Sequence, residues 1–128
     1  TNITHCFFDT SYNKDIHLEE ISSYCFQSCR KLCYIDFPSS LRRINDYAFN
    51  KCNLISTDVP NDKTQNLTFN GLIEFIGVGA FAAIENNIGK TTNIYFGPSL
   101  KTLGRDAFRN VRRAPLEEIA FGNAEAAT

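Results

Sequence analysis

Apolar and polar positions along this chain alternate in a pattern that recurs. Segments 3–8, 21–26, 44–49, 76–81 and 103–108 each begin with an aliphatic residue (Ile3, Ile21, Ile44, Ile76, Leu103) and end five residues later on a phenylalanine (Phe8, Phe26, Phe49, Phe81, Phe108). The residue before each Phe is small or apolar: Phe7, Cys25, Ala48, Ala80 and Ala107. Three residues beyond it come Ser11, Cys29, Cys52, Ile84 and Val111. A second kind of segment lies between these. Its clearest copy is Leu32-Cys33-Tyr34-Ile35-Asp36-Phe37-Pro38, and Leu54-Ile55-Ser56-Thr57-Asp58-Val59-Pro60 follows. Segments 91–96 and 116–121 keep the same register. A linker then returns to the first kind, as in Ser40-Leu41-Arg42-Arg43-Ile44 and Ser99-Leu100-Lys101-Thr102-Leu103.

The two kinds predict two kinds of element. Alternation at Ile35 and Phe37, or Thr57 and Val59, has period two and predicts a short strand with one buried face. Pro38 and Pro60 end those strands, because proline cannot donate to a ladder. The residue after each aliphatic position is Thr4, Ser22, Asn45, Gly77 or Gly104. All five are types that suit a helix N-cap, so the pattern predicts a helical turn that carries the small residue and the Phe inward. The Phe-to-Phe spacings are 18, 23, 32 and 27. With 23 as the base length, the longer units carry insertions, one between Pro60 and Ile73 and one between Ile84 and Ile94; in a repeat protein such insertions map to loops.

A unit of this size cannot bury its own apolar face, but stacked units can, with Phe over Phe. Phe26, Phe49 and Phe81 fall in the middle of that stack. Truncating any of them to Ala should cost about 3–5 kcal/mol, a large part of the roughly 5–15 kcal/mol that holds a small domain together.

The register Ser40 to Cys52, read together with the preceding Leu-x-x-Ile-x-Phe-Pro, resembles the repeat of BspA-type leucine-rich-repeat proteins. Four to five such units cover nearly all of the 128 residues, as a single domain. The later copies depart from the pattern by placing Ile84 and Val111 where Cys is usual, and by their irregular lengths. The resemblance implies an α/β repeat fold: a right-handed leucine-rich-repeat solenoid, short parallel strands on its concave face and helical turns between them. It also implies protein interaction or adhesion, often at a cell surface, with no catalysis and no cofactor.

Composition narrows the function classes further. The net charge is −1, so no global field draws the chain to nucleic acid or an anionic membrane. The longest apolar run, around 80–84, is far below the roughly 18 residues of a membrane span. The N-terminus shows no charged lead before an apolar stretch. Neither end carries a dedicated polar cap, which predicts a longer parent chain or ends covered by neighbouring subunits.

The residues that could carry chemistry have plainer readings. Cys25, Cys29 and Cys33 are explained by the repeat register and lack the paired spacing of a zinc site. Buried free thiols are the reading for these three, and Cys29 and Cys52 are expected to be stacked neighbours, for which a disulfide needs favourable geometry. His5 and His17 have no partner group that would make a triad. Gly89-Lys90-Thr91 lacks the first glycine of a phosphate loop, since Ile84 stands there. Arg105, Arg109, Arg112 and Arg113, with Lys101, form a basic group on a solvated face. Sequons stand at Asn2 and Asn66.

Binding residues follow from strand geometry. Tyr34, Ser56, Asn93 and Glu118 form one outward column; Asp36, Asp58, Tyr95 and Ala120 form the next. Outward Tyr is well suited to interfaces, so this strip is the expected partner site. The polar insertion 61–72, with Leu67, Phe69 and Leu72, reads as a loop and a second candidate. A protein-interaction or adhesion module is the expected function; a structural subunit of a larger assembly such as a virion, an appendage or a cytoskeletal complex is the alternative. No nucleic acid and no membrane insertion are expected.

Overall fold

The computed structural model describes residues 5–7, 18–32, 34–52, 56–57, 64–69, 72–82, 91–109 and 116–121. Every described strand pairing is parallel. On one face lie four two-residue strands, β2 (Glu20–Ile21), β4 (Arg43–Ile44), β6 (Phe75–Ile76) and β8 (Thr102–Leu103), in the order β2-β4-β6-β8. On the other, β1 (His5–Phe7) pairs with β3 (Tyr34–Asp36), and β5 (Thr64–Phe69), β7 (Thr91–Phe96) and β9 (Leu116–Phe121) form a three-stranded sheet. A single bridge joins Tyr34 to Ser56, and the Thr57 N–H donates to the Asn66 carbonyl at 2.8 Å, so Ser56 and Thr57 link the two groups. Each pairing joins strands one repeat apart, an arrangement that fits a repeat solenoid.

The core is a double column of phenylalanine. Phe26, Phe49, Phe81 and Phe108 stack face to face, with successive centroids at 5.1, 5.1 and 5.3 Å. Phe37, Phe69 and Phe96 stack beside them at 6.0 and 5.5 Å. The two columns meet edge to face, as in Phe69 against Phe81 at 5.2 Å, the geometry that ring quadrupoles favour. Ile44, Ile76, Ile35, Leu67 and Leu41 close the core around them.

Three expectations are corrected. The first concerns the helical turns: no helix occurs among the described residues. In each turn the N–H groups alternate between two destinations. Cys25 and Gln27 donate within their own turn, to Ser22 and Tyr24. Tyr24, Phe26 and Ser28 donate to Asp46, Ala48 and Asn50 of the next coil at 3.1, 2.8 and 2.8 Å. Tyr47, Phe49 and Lys51 repeat this onto Val78, Ala80 and Ala82, and Gly79 and Phe81 onto Arg105 and Ala107. The alternation requires left-handed residues, found at Tyr24, Ser28, Tyr47, Lys51, Gly79 and Asp106 with φ of 57–62°. A helix cannot pass through them.

The second concerns the cap column. Gly77 and Gly104 do not cap anything; they allow coils to touch. A Cβ at Gly77 would lie 2.6 Å from the Asp46 nitrogen, and one at Gly104 would lie 2.5 Å from the Val78 nitrogen. In the coil without glycine, Asn45 instead uses its side-chain amide to reach the Ile21 carbonyl of the previous coil, at 2.9 Å.

The third concerns which segments are strands. Within segment 3–8, expected to be another aliphatic-to-Phe turn, the described residues 5–7 form β1, which sets Cys6 opposite Ile35. Both kinds of segment carry an aliphatic residue and a Phe five apart, as in Leu32 and Phe37, so spacing alone does not separate them. Likewise the insertion 61–72 is not a loop throughout, because β5 occupies 64–69 and fills the strand place of its coil. Phe69 then stacks between Phe37 and Phe96.

Candidate functional site

The strand face is assembled by register. Tyr34 stands opposite Ser56, Asn66 opposite Asn93, and Asn93 opposite Glu118. The next column runs through Thr68, Tyr95 and Ala120. Tyr34, Ser56, Asn93, Glu118 and Tyr95 therefore occupy the columns expected of them, and Asn66 and Thr68 join them unannounced. Both lie in the stretch whose polarity suggests a loop; the alternation Asn66, Leu67, Thr68, Phe69 is the signal for a strand.

Accessibility divides this face. Asp36 and Thr68 are exposed, and Tyr34 and Tyr95 are half-buried. Ser56 and Asn93 are buried, at 5% and 7% exposure, although both were expected to point outward to solvent. Their polar atoms are used inside the ladder. The Ser56 hydroxyl donates to the Asn66 carbonyl at 3.2 Å, and the Asn93 amide donates to Asn66 Oδ1 at 2.9 Å. Tight stacking explains this: small polar side chains in adjacent rungs satisfy one another and leave little for a partner. Asp58 lies outside the described residues, as does the side chain of Glu118. Tyr34 and Tyr95 lie in different columns, with Ser56 and β5 between their strands.

The Asn66 sequon lies in β5, where its side-chain oxygen is engaged by Asn93, and not in an open loop. Asn2, His17, Arg112 and Arg113 lie outside the described residues, and of His5 only the backbone is described.

The opposite face carries the charges. Glu19, Arg42, Glu74 and Lys101 succeed one another in one column with alternating sign, paired as Arg42–Glu19 at 3.9 Å and Lys101–Glu74 at 3.2 Å. Beside them the Arg43 guanidinium sits 4.1 Å from the Phe75 ring centroid, a cation–π contact. Of the basic group, Arg105 and Arg109 are exposed, and Arg109 pairs with Asp106 at 3.7 Å.

Cys29 and Cys52 are free and buried; Cys25 is free but exposed, against the expectation of a buried thiol and unlike Ala48, Ala80 and Ala107 in its column. The Cys52 thiol donates to the Phe26 carbonyl at 3.1 Å. Burial, together with Cys29 beside it, pushes its pKa up to about 12, and so keeps it protonated and a poor nucleophile. Cys33 lies outside the described residues. Among the described residues no group of three or more His, Cys, Asp or Glu could hold a metal ion. No helix among them is long and apolar enough to cross a membrane.

A family model described as the BspA type leucine rich repeat region matches residues 3–112 in 6 copies. No curated protein and no solved structure matches the chain. Repeats of this family are generally non-catalytic, and leucine-rich-repeat domains typically mediate protein interactions.

Proposed function

Because this chain belongs to the BspA-type leucine-rich-repeat family, we propose that it is a non-catalytic protein-interaction module that engages its partner through the accessible part of the strand face. Adhesion is the form of interaction that the family resemblance favours. The observation that carries the reading is the accessibility of Asp36 and Thr68, with half-buried Tyr34 and Tyr95, on two parallel sheets linked through Ser56 and Thr57, where the Asn93 amide holds Asn66. Half-buried tyrosines bring contact area at low entropic cost, and the ladder beneath them is preorganised. The exposed carboxylate of Asp36 adds a charge to this face.

The test compares partners captured by proximity labelling with wild type, with Tyr34→Ala/Tyr95→Ala, with Asp36→Arg, and with Glu74→Gln on the opposite face. A partner lost to the strip variants and kept by Glu74→Gln supports the reading. Partners indifferent to all strip changes would sink it.

The alternative, a structural subunit of a larger assembly, is favoured by one observation: Leu103, whose counterparts Ile44 and Ile76 are fully buried, is 44% exposed at the end of its sheet.

A further inference from the structure

The two edges of the four-stranded sheet are complementary, and we propose that β8 of one copy of this chain pairs in parallel with β2 of a second copy, so that the chain associates head to tail. This rests on the charged face and the coil edges, and is independent of the strand-face reading.

Within the molecule every junction follows one rule. Arg43 and Asn45 donate their N–H groups to the Glu19 and Ile21 carbonyls; Phe75 and Gly77 donate to Arg42 and Ile44; Thr102 and Gly104 donate to Glu74 and Ile76. The same rule applied at the β8 edge turns the Lys101 and Leu103 carbonyls outward, and at the β2 edge turns the Glu20 and Ser22 N–H groups outward. One edge offers acceptors and the other offers donors in matching register.

The turns match as well. Phe26, Phe49 and Phe81 each donate an N–H to the next coil, and Phe108 is the following donor in that series. Among the described residues its ring ends the Phe column at one side, and the Phe26 ring ends it at the other. Both are only half-buried.

Charge selects the partner. The column Glu19, Arg42, Glu74, Lys101 alternates strictly in sign and ends on a lysine whose side chain is 75% exposed. The residue that continues the alternation is a carboxylate, and Glu19 of a second copy supplies it at the matching position. Two β8 edges would instead set Lys101 against Lys101. Leu103, 44% exposed, lies next to this contact and gains cover from it. At the β2 end Ile21 is already covered at 4%, so the apolar contact there falls on the Phe26 and Tyr24 rings, Tyr24 being 56% exposed. On the strand face the junction places β1 of the second copy after β9. That face already takes one additional rung, Ser56 and Thr57 between β3 and β5. A contact of this kind uses two different surfaces, so it does not close on itself and grows into chains.

Sedimentation velocity over a concentration series tests this with the 128-residue chain, Lys101→Glu, Glu19→Lys and an equal mixture of the two variants. The wild type should associate progressively beyond a dimer, less so at high salt, since exposed ion pairs are screened. Each single reversal faces like charges across the junction and should weaken association by about ten-fold or more. The mixture should restore it, because the carboxylate introduced in one variant then meets the ammonium group introduced in the other. Circular dichroism on each variant shows that folding is intact, and Leu103→Ser provides a second weakening change should a reversal fail to fold. A wild type that stays monomeric throughout, association indifferent to both reversals, or single losses that mixing does not restore would each overturn the proposal.

Discussion

Gly104 packs against the backbone of Gly77, and Gly77 against that of Asp46, so a single methyl at either place has nowhere to go. Gly77→Ala and Gly104→Ala should each destabilise the fold by about 1–3 kcal/mol, read as a lowered denaturation midpoint. Phe49→Ala and Phe81→Ala remove fully buried rings and should cost more, about 3–5 kcal/mol, in the same measurement. Cys52 gives the residue scale a pH dependence. Its pKa is raised from 9.0 to about 12 in the fold. Its protonated form is the one the core accepts, so its contribution is complete below pH 9 and is lost as pH rises toward 12. Replacing Cys52 with Ala should flatten that part of the alkaline stability profile; an unchanged slope would show that Cys52 does not set it. At this scale the alanine–phenylalanine columns are legible in sequence because burial demands the same size at the same place in every coil. The left-handed backbone at Tyr24 and Tyr47 is not, because tyrosine does not advertise positive φ; Gly79 and Asp106 in that column hint at it.

Among the elements, β5 differs most from expectation. Its sequence, Thr64 to Phe69, sits among polar residues that suggest a loop, yet it pairs with β7 along all six residues. Amide hydrogen exchange should therefore show Leu67 and Phe69 protected to the same degree as Ile94 and Phe96; loop-like exchange at 64–69 would contradict the pairing. The Asn66–Asn93 bridge belongs to the same element pair. Asn93→Ala leaves Asn66 Oδ1 without that donor in a buried ladder and should destabilise by about 1–3 kcal/mol, whereas Thr68→Ala, on the exposed column, should be near neutral. The turns differ from the expected helices for a physical reason. Ser, Asn and Gly after an aliphatic residue suit an N-cap, but they also suit close contact between coils, and one chain's spacing does not distinguish the two. Similarly β1 has the spacing of a turn unit, because an aliphatic residue and a Phe five apart occur in both kinds of segment.

For the whole molecule, the parallel repeat is readable because its register is dictated by the aliphatic and Phe positions, which stacking forces into columns. The register of these strands is readable in the same way: Tyr34 pairs with Ser56, and Asn93 and Tyr95 pair with Glu118 and Ala120. Accessibility is not, since Ser56 and Asn93 are buried by bonds to β5, a strand that the polar sequence around it conceals. The alternating charge column emerges only when β2, β4, β6 and β8 are brought into register. Both surfaces, the strip and the charged edges, depend on one feature, the turn-to-turn register. The measurement that tests it most directly is through-hydrogen-bond scalar coupling by NMR on the isotope-labelled chain. Correlations from the Phe26, Phe49 and Phe81 amide nitrogens to the carbonyl carbons of Ala48, Ala80 and Ala107 are the predicted result. Correlations from those nitrogens to carbonyls four residues earlier in their own segments would contradict it, because they would make the turns helices and dissolve the register on which both surfaces are built.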